Sequence, residues 1–300
     1  MLIVGGSGFI GRHLVRRCLS ETPHVVVAGH RRAAVGAEAA EWVAVDLADA
    51  ATLGPLRQHQ FEYVFNLGGY IDHTTYLNGG RRVIEQHLIG VFNLVDAVRS
   101  ESLKGFVQIG SSDEYGDLEA QQREDRLGRA ISPYALAKQS AGLFIQMLAE
   151  REGFPGVAAR LFLVYGPEQE EARFLPQIIA GCLRGDRFAV TPGEQLRDFC
   201  YVSDIADALV AAAHTPAAHC RILNIGSGEA VTVRSMIERV VGLIGRGVAD
   251  FGARPYRAGE SMALVPDMSL ARRVLGWSPT LTLDQGLART IDYYRERITQ

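Results

Sequence analysis

The stretch Val4-Gly5-Gly6-Ser7-Gly8-Phe9-Ile10-Gly11 decides how the N-terminal half of the chain folds. It joins a short apolar run to a segment with apolar residues at helical spacing, which predicts a strand, a tight turn and a helix. Glycines let such a turn approach a pyrophosphate closely, and the N-terminus of the helix offers amide donors and a positive dipole. A turn without a ligand is the alternative, but the position directly after the first strand favours a dinucleotide site.

Short apolar runs alternate with stretches of helical periodicity through the first half of the chain. Because the runs have few polar interruptions, they suit a parallel sheet that is covered on both faces. The predicted strands are 2–4, 25–28, 43–45, 63–66, 106–109 and 157–162, and the predicted helices are 9–19, 83–98 and 134–149. This alternation predicts an α/β fold with a doubly wound parallel sheet, the Rossmann architecture.

The second half of the chain has a less regular pattern that is punctuated by Gly and Pro. Helices are predicted at 174–184, 205–213, 233–243 and 283–297, and a strand at 222–225. Ser203 is the expected N-cap of the second of these helices. We expect residues 1–166 to form mainly the dinucleotide-binding domain and 167–300 mainly a smaller, substrate-binding α/β cap. Segments near 198–226 are expected to return to the first domain.

The composition argues against several classes of protein. A net charge of −3 and a pI near 6.3 make nucleic-acid binding a poor prediction. Four cysteines without CxxC spacing predict a reduced, cytoplasmic setting, and we see no metal-binding pattern. Since no apolar run approaches the length that crosses a bilayer, we expect a soluble protein without a membrane partner.

The end of the second predicted strand indicates which dinucleotide fits. An acidic residue there would pair with the ribose hydroxyls of NAD, whereas arginine accommodates the 2′-phosphate of NADP. This chain has His30-Arg31-Arg32 there and no carboxylate, so we expect NADP, with NAD and solvated arginines as the alternative. Asp46, after the third strand, is a candidate for contacting the adenine region. The residues expected to bind the cofactor are Gly5, Ser7, Gly8, Phe9, Ile10, Gly11, His30, Arg31, Arg32, Asp46, Leu47, Leu67, Gly68, Tyr134 and Lys138.

Tyr134 and Lys138 lie one helical turn apart on a single face, with Pro133 suited to the first turn and Ser132 to the cap. A free tyrosine has a pKa near 10 and is a poor base at neutral pH. A nearby lysine ammonium stabilises the phenolate and lowers that pKa. The alternative is a surface pair without a role, but a dinucleotide loop in the same chain favours an acid/base tyrosine. The same ammonium is placed to hold the nicotinamide ribose.

Ser111 and Ser112 follow an apolar strand, so their hydroxyls are expected at the carboxyl edge of the sheet, where ligands of open α/β sheets bind. A hydroxyl there orients a substrate oxygen against the tyrosine. Asp113 and Glu114 add carboxylates that are candidates for a general acid/base pair. Solvated turn residues are the alternative for both acids.

These motifs together resemble the extended short-chain dehydrogenase/reductase family, in its nucleotide-sugar epimerase, dehydratase and reductase branch. The resemblance covers nearly the whole chain. It is specific for the family and much less so for one reaction. Further matching segments are Leu163-Val164-Tyr165-Gly166-Pro167, Gln195-Leu196-Arg197-Asp198-Phe199-Cys200-Tyr201-Val202-Ser203-Asp204, Asn224-Ile225-Gly226-Ser227-Gly228 and Leu275-Gly276-Trp277-Ser278-Pro279.

The resemblance implies roles for the residues of the predicted site. Tyr134 matches the catalytic acid/base of the family, and Lys138 matches its partner. Ser111, four residues before a Tyr-Gly pair, matches the catalytic Ser/Thr, and a shift of one residue to Ser112 stays open.

The resemblance also points to substrate contacts and to two departures. Arg197 and Arg257 match positions that hold the substrate diphosphate, which suits bidentate guanidinium geometry. The segment Asn66-Leu67-Gly68-Gly69 stands where many relatives have a His-Leu-Ala-Ala turn, and His87 replaces an Asn. Both departures are expected near the cofactor, and neither removes a catalytic group.

All reactions that the resemblance implies transfer hydride at sugar C4 of a nucleoside-diphosphate sugar. We favour an NADPH-dependent 4-keto-sugar nucleotide reductase, because a consumed reductant is commonly NADPH. A 4-epimerase and a 4,6-dehydratase are the alternatives, and a non-catalytic NADP-binding sensor is a remote one. The family also implies a homodimer through the predicted helices 83–98 and 134–149.

Overall fold

The computed structural model describes residues 1–30, 40–257 and 259–298 of this chain. Its strands are β1 Leu2–Val4, β2 Val26–Gly29, β3 Glu41–Ala44, β4 Tyr63–Asn66, β5 Gly105–Ser111, β6 Gly156–Leu161, β7 Leu163–Tyr165, β8 Arg187–Val190, β9 Leu196–Tyr201, β10 Ile222–Ile225, β11 Ala230–Thr232, β12 Val248–Phe251 and β13 Ala263–Leu264. Its α-helices are α1 Phe9–Leu19, α2 Arg81–Ile84, α3 Gly90–Val98, α4 Pro133–Glu152, α5 Phe174–Arg184, α6 Val202–His214, α7 Val233–Ile244, α8 Ser269–Leu275 and α9 Leu283–Ile298. Shorter helical turns are Ala50–Gln58, Tyr76–Asn78, Ser112–Tyr115 and Pro216–Ala218, and Glu85–Ile89 forms a π turn.

The larger sheet has seven parallel strands in the order β10-β6-β5-β4-β1-β2-β3. Successive side chains of β1 face opposite sides of this sheet. Ile3 packs in one core with Leu14 of α1, whereas Leu2 packs in another with Leu94 of α3 and Ile145 of α4. Because both faces are covered by helices, the strands are mostly apolar. The predicted doubly wound α/β fold is confirmed.

A smaller sheet forms around β9 in the second half of the chain. This strand pairs with β11 in antiparallel fashion and with β7 and β13 in parallel fashion, and β8 pairs separately with β12. Ile179 of α5, Ile237 of α7 and Ile291 of α9 share one apolar core beside it. After β9, α6 packs against the larger sheet and β10 joins its edge. The chain therefore crosses between the two sheets more than once.

The glycine turn after β1 lies where the strand order of the larger sheet reverses, between β4 and β2. Such a switch point is where open α/β sheets bind ligands. Gly5 has φ +77°, and a Cβ there would lie 2.7 Å from the Leu67 carbonyl oxygen. A Cβ on Gly11 would lie 2.2 Å from the Gly5 oxygen. Helix α1 has Gly8 as its N-cap, with no side-chain cap, so its first amide groups are available to an anion.

Two helices differ from the sequence predictions. The helix predicted at 83–98 is interrupted by the π turn Glu85–Ile89, a feature that often marks functional sites. Helix α6 begins at Val202 and has Tyr201 as its N-cap, so Ser203 lies inside the first turn and the predicted cap is wrong. The physical reason is that β9 runs into α6 without a loop, which leaves no extended residue after Tyr201.

The described part of the chain contains no helix that is long and apolar enough to cross a membrane. Residues 1–30, 40–257 and 259–298 also hold no group of three or more His, Cys, Asp or Glu side chains arranged to bind a metal ion. Cys18, Cys182 and Cys200 are buried, Cys220 is partly buried, and all four are free thiols.

Candidate active site

Strand β5 delivers Ser111 to the carboxyl edge of the larger sheet, where a short helical turn begins. The Ser111 backbone N–H donates to Glu114 Oε1 at 2.7 Å, and Ser111 Oγ accepts from the Asp113 N–H at 3.2 Å. These two bonds form a capping box that holds the serine in place. The Ser111 hydroxyl also lies close enough to the Tyr134 phenol to lower the pKa of that phenol. Ser112 is buried beside it, and the contact with the tyrosine is made by Ser111.

Helix α4 brings Tyr134 and Lys138 to the same edge. Ser132 caps this helix, accepting from the Ala135 N–H at 3.1 Å, and Pro133 occupies its first position. Tyr134 and Lys138 are only 5% and 4% exposed. Lys138 Nζ donates to the Ile109 carbonyl at 3.0 Å and lies 5.9 Å from the centroid of the Tyr134 ring. Tyr134 and Lys138 therefore form a buried pair, and Ser111 lies partly buried beside them.

Burial dominates the titration of this cluster. It raises the pKa of Tyr134 well above its usual value, and the negative charge of Asp113 adds to the rise, while the nearby Ser111 hydroxyl opposes it. Burial also lowers the pKa of Lys138 to about 8, against the opposing effect of Glu114. The pKa of Tyr134 is therefore raised, which is opposite to the lowering that the pairing with Lys138 predicts. The protonated phenol is the stable form at neutral pH, which suits a proton donor.

The two neighbouring acids have different environments. Glu114 is 1% exposed, and its Oε2 accepts from Nε of the equally buried Arg160 at 2.6 Å. The other oxygen of Glu114 holds Ser111, as described above, so we expect a supporting role for Glu114 in place of the acid/base role that the sequence predicts. The Asp113 side chain is 30% exposed and faces the cleft, 3.8 Å from His73 Nε2. Burial raises the pKa of Asp113, and it is the acid that remains available for chemistry.

Two histidines flank the tyrosine ring edge-on. His87 lies 5.1 Å from Tyr134 between ring centroids, at 86°, and His73 lies 5.7 Å away at 77°. The sequence comparison with the family pattern marked His87, but it missed His73. The signal was available, because His73 follows β4 and the loops after β4 and β5 meet at one edge of a parallel sheet.

The expected cofactor residues that follow β1, β3 and β4 lie at the carboxyl ends of these strands. A Cβ on Gly68 would lie 2.7 Å from Leu47 Cδ1, so the turn after β4 packs on the segment after β3. Asp46 accepts from Gln86 Nε2 at 2.7 Å and from the Ala48 N–H at 3.0 Å, and these bonds lower its pKa. Ser7, Phe9 and Ile10 are partly buried in the glycine turn and in α1, and His30 is exposed at the end of β2. Arg31 and Arg32, on which the NADP prediction depends, lie outside the described residues.

Of the two arginines expected to bind the substrate, one is buried and one is exposed. Arg197 on β9 is 8% exposed, and its Nη2 donates to Glu260 Oε1 at 3.1 Å and to the Ser261 carbonyl at 2.8 Å. Arg257 is exposed in the turn that precedes Glu260, whose N–H donates to the Arg257 carbonyl at 3.1 Å. Asp113 and Arg197 are close enough for their charges to interact, which places β9 near the Tyr134 cluster.

Comparisons with known proteins agree with this arrangement. Residues 1–226 match the model of the NAD-dependent epimerase/dehydratase family. The chain is 27% identical to the UDP-glucose 4-epimerase of Mycolicibacterium smegmatis over 311 residues, covering 99% of this chain and 98% of that protein. It is also 27% identical to the dTDP-glucose 4,6-dehydratase of that organism over 319 residues, covering 98% and 93%. The solved structure of MoeE5 in complex with UDP-glucose and NAD matches with a TM-score of 0.86 and 29% identity, covering 99% of both chains.

Replacing Tyr134 by Phe tests the acid/base assignment. Because the ring and its packing are kept, we expect dinucleotide affinity to stay near that of the wild type. Loss of the phenolic proton should reduce turnover by about 10²–10⁴-fold. Binding is measured by fluorescence titration and turnover by product analysis, with Tyr63→Phe at the opposite end of β4 as the matched control. Near-normal turnover of the Tyr134→Phe variant contradicts the assignment.

A pair of isosteric substitutions separates the two acids. Glu114→Gln leaves the buried guanidinium of Arg160 without its counter-charge, and we expect it to destabilise the protein by about 3–5 kcal/mol. Asp113→Asn, in the partly exposed neighbour, should change the free energy of unfolding by about 1 kcal/mol or less while lowering turnover. Urea unfolding and steady-state assays measure both. Equal stability of the two variants contradicts the supporting role of Glu114.

Proposed function

The chain belongs to the NAD-dependent epimerase/dehydratase family, and from this premise we propose that it is a nucleotide-sugar 4-epimerase. The observation that carries the proposal is the cluster of buried Tyr134 and Lys138 with partly buried Ser111, beside the glycine turn. Such a cluster handles one proton and one hydride at a single carbon, which is the chemistry of oxidation and reduction at sugar C4.

The proposed cofactor is NAD. The preference for NADP depended on Arg31 and Arg32, which lie outside the described residues, whereas the family is NAD-dependent and the related MoeE5 structure holds NAD. The uncapped first turn of α1, which Gly11 allows to pack closely on the glycine turn, fits a pyrophosphate. Lys138 would hold the nicotinamide ribose. Bound NAD would supply the acceptor, and later the donor, of the hydride.

The side chains of the site would move the proton and orient the sugar. Ser111 would align the C4 oxygen with Tyr134, since its hydroxyl already contacts the phenol. When C4 is oxidised, the hydroxyl proton passes to the Tyr134 oxygen, and it returns when the ketone is reduced from the opposite face. Taking up a proton requires the phenolate, which the Lys138 ammonium stabilises. The low pKa of this ammonium, about 8, means that this help fades above that pH.

The proposed substrate is a UDP-sugar. The epimerase relative acts on UDP-glucose, and MoeE5 is in complex with UDP-glucose. Arg197 supports a diphosphate at β9, because its buried guanidinium is fixed by bonds to Glu260 and Ser261 and its charge interacts with that of Asp113. Arg257, exposed in the adjoining turn, is the second proposed diphosphate contact.

A 4,6-dehydratase is the second candidate, and the reductase that we first favoured is the weakest of the three. Elimination of water across C5–C6 needs further acid/base groups, and the contact of Asp113 with His73 favours it. The engagement of Glu114 with Arg160 withdraws the other acid and argues for epimerisation. The reductase rested on the NADP preference, and the two relatives compared are an epimerase and a dehydratase.

Incubation of the purified protein with UDP-glucose, dTDP-glucose and their 4-keto forms tests the proposal. We expect an isomerised UDP-sugar of unchanged mass and no net change in reduced-dinucleotide absorbance, because the hydride returns to the same carbon. Mass spectrometry, sugar analysis and absorbance are followed together. Loss of one water supports the dehydratase instead, and stoichiometric loss of NADH or NADPH supports the reductase. Dinucleotide binding without any turnover supports a non-catalytic sensor.

We also propose that the protein forms a homodimer through α4 and the helical segment 83–98, which contains the π turn and α3. Leu136, Leu143 and Met147 are 47%, 41% and 42% exposed and share one face of α4. Ile89 of the π turn is 40% exposed. A second copy of this surface would cover these apolar side chains, as in the isologous interfaces of two-fold dimers.

Leu143→Glu tests the proposed interface. A carboxylate at its centre should convert dimers to monomers, since it would be buried without a partner in the assembly. Size-exclusion chromatography with light scattering measures the mass. Leu243→Glu is the control, because Leu243 is similarly exposed, at 46%, on α7. A wild-type monomer, or a dimer that is unaffected by Leu143→Glu, rejects this interface.

A further inference from the structure

The two departures from the family pattern, Gly69 and His87, touch each other beside Tyr134. A Cβ on Gly69 would lie 2.1 Å from His87 Cε1 and 2.7 Å from His87 Nδ1. Contacts that short do not occur between a real Cβ and a packed ring, and Gly69 also has φ +111°. A glycine at 69 is therefore the condition for an imidazole at 87. The two departures are one compensated change.

His87 anchors the loop that follows β4. Its Nε2 lies 2.8 Å from the Tyr70 carbonyl oxygen and 3.3 Å from the Tyr70 nitrogen. Since one ring nitrogen cannot donate and accept at once, the shorter contact indicates that Nε2–H donates to the carbonyl. The ring is 3% exposed and lies on the π turn Glu85–Ile89, which places it next to Tyr134.

The imidazole stays neutral beside a buried ammonium. Burial, followed by the positive charge of Lys138, lowers the pKa of His87 to about 3. Within the described residues His87 Nδ1 has no hydrogen-bond partner, so its lone pair adds no competing charge or donor to the cluster. A protonated histidine there would repel Lys138, whereas the neutral ring lets the ammonium keep its charge near the phenol.

The loop that His87 anchors also contacts Tyr134. The rings of His87 and Tyr134 pack edge to face. His73 lies on the loop that His87 anchors, and its ring centroid is 5.7 Å from that of Tyr134. His73 also lies 3.8 Å from Asp113. Movement of this loop would therefore change the orientation of the phenol and the partner of Asp113 together.

We propose that His87 is a positioning residue: it fixes the loop 69–75 against Tyr134, and Gly69 is required to admit its ring. The acid/base role of Tyr134 is taken from the proposed function, and the inference goes beyond it by assigning His87 and Gly69. The Gly69–His87 contact itself is independent of which sugar is converted.

A double-mutant cycle with Gly69→Ala, His87→Asn and the double variant tests the contact. Gly69→Ala alone should lower the unfolding temperature and turnover, because its methyl group overlaps the imidazole. In the double variant the shorter asparagine vacates that space, so turnover should exceed the product of the single effects by about tenfold. The unfolding temperature should recover in part, because the positive φ of Gly69 strains an alanine whichever side chain stands at position 87. If Gly69→Ala does not fold, folding of the double variant supports the contact, and failure of both to fold rejects the compensation.

The positioning role is tested by how turnover and binding separate. His87→Asn should lower kcat about tenfold or more while changing KM and dinucleotide affinity by about twofold or less, and it should shift the pH profile of kcat. His87→Phe keeps the edge contact with Tyr134 but not the bond to Tyr70, so partial recovery of kcat assigns the remaining loss to the anchored loop. His24→Asn, at an exposed site, is the control. An unchanged kcat and pH profile in His87→Asn overturns the proposal.

Failure of the proposed function would be visible separately. If the wild type converts none of the sugars, the unfolding temperatures of the cycle still report on the Gly69–His87 contact. Spectroscopic titration of the tyrosines in the wild type, Tyr134→Phe and His87→Asn then reports on the positioning of the phenol. A Tyr134 titration that His87→Asn leaves unchanged overturns the positioning role even in that case.

Discussion

The buried ion pair between Arg160 and Glu114 is the interaction on which the site depends. It joins β6 to the turn after β5, and the second oxygen of Glu114 holds the backbone of Ser111. The Arg160 guanidinium lies 4.7 Å from the centroid of the Tyr115 ring, and the Tyr115 hydroxyl donates to Asn224 of β10 at 2.8 Å. These contacts link β5, β6 and β10 next to Ser111. A buried pair of this kind stabilises little by itself, but loss of either partner leaves an uncompensated charge.

Low exposure governs the chemistry in front of that pair. In a site screened from water, each charge acts strongly on its neighbours. Lys138 Nζ lies 5.9 Å from the centroid of the Tyr134 ring, and the charge of Asp113 acts on the same phenol. Burial decides the balance in favour of the protonated phenol. The neutral His87 suits this environment, because a second cation would compete with Lys138.

Under the proposed hydride transfer at C4, the groups around that carbon have to decide which reaction follows. In this chain those groups are Asp113, His73 and the loop that His87 anchors. The cap contributes Arg197 from β9, which lies close enough to Asp113 for their charges to interact.

The sequence by itself determined the doubly wound sheet, the glycine turn and the pairing of Tyr134 with Lys138, because each depends on local periodicity, spacing or backbone freedom. Tertiary structure alone decided that Ser111 contacts the tyrosine, that Glu114 forms an ion pair with Arg160, and that His73 lies near Asp113. It also decided that Gly69 and His87 fit together. These contacts join residues that are distant along the chain, or choose between neighbours, and only the packing of strands and loops fixes their distances and burial.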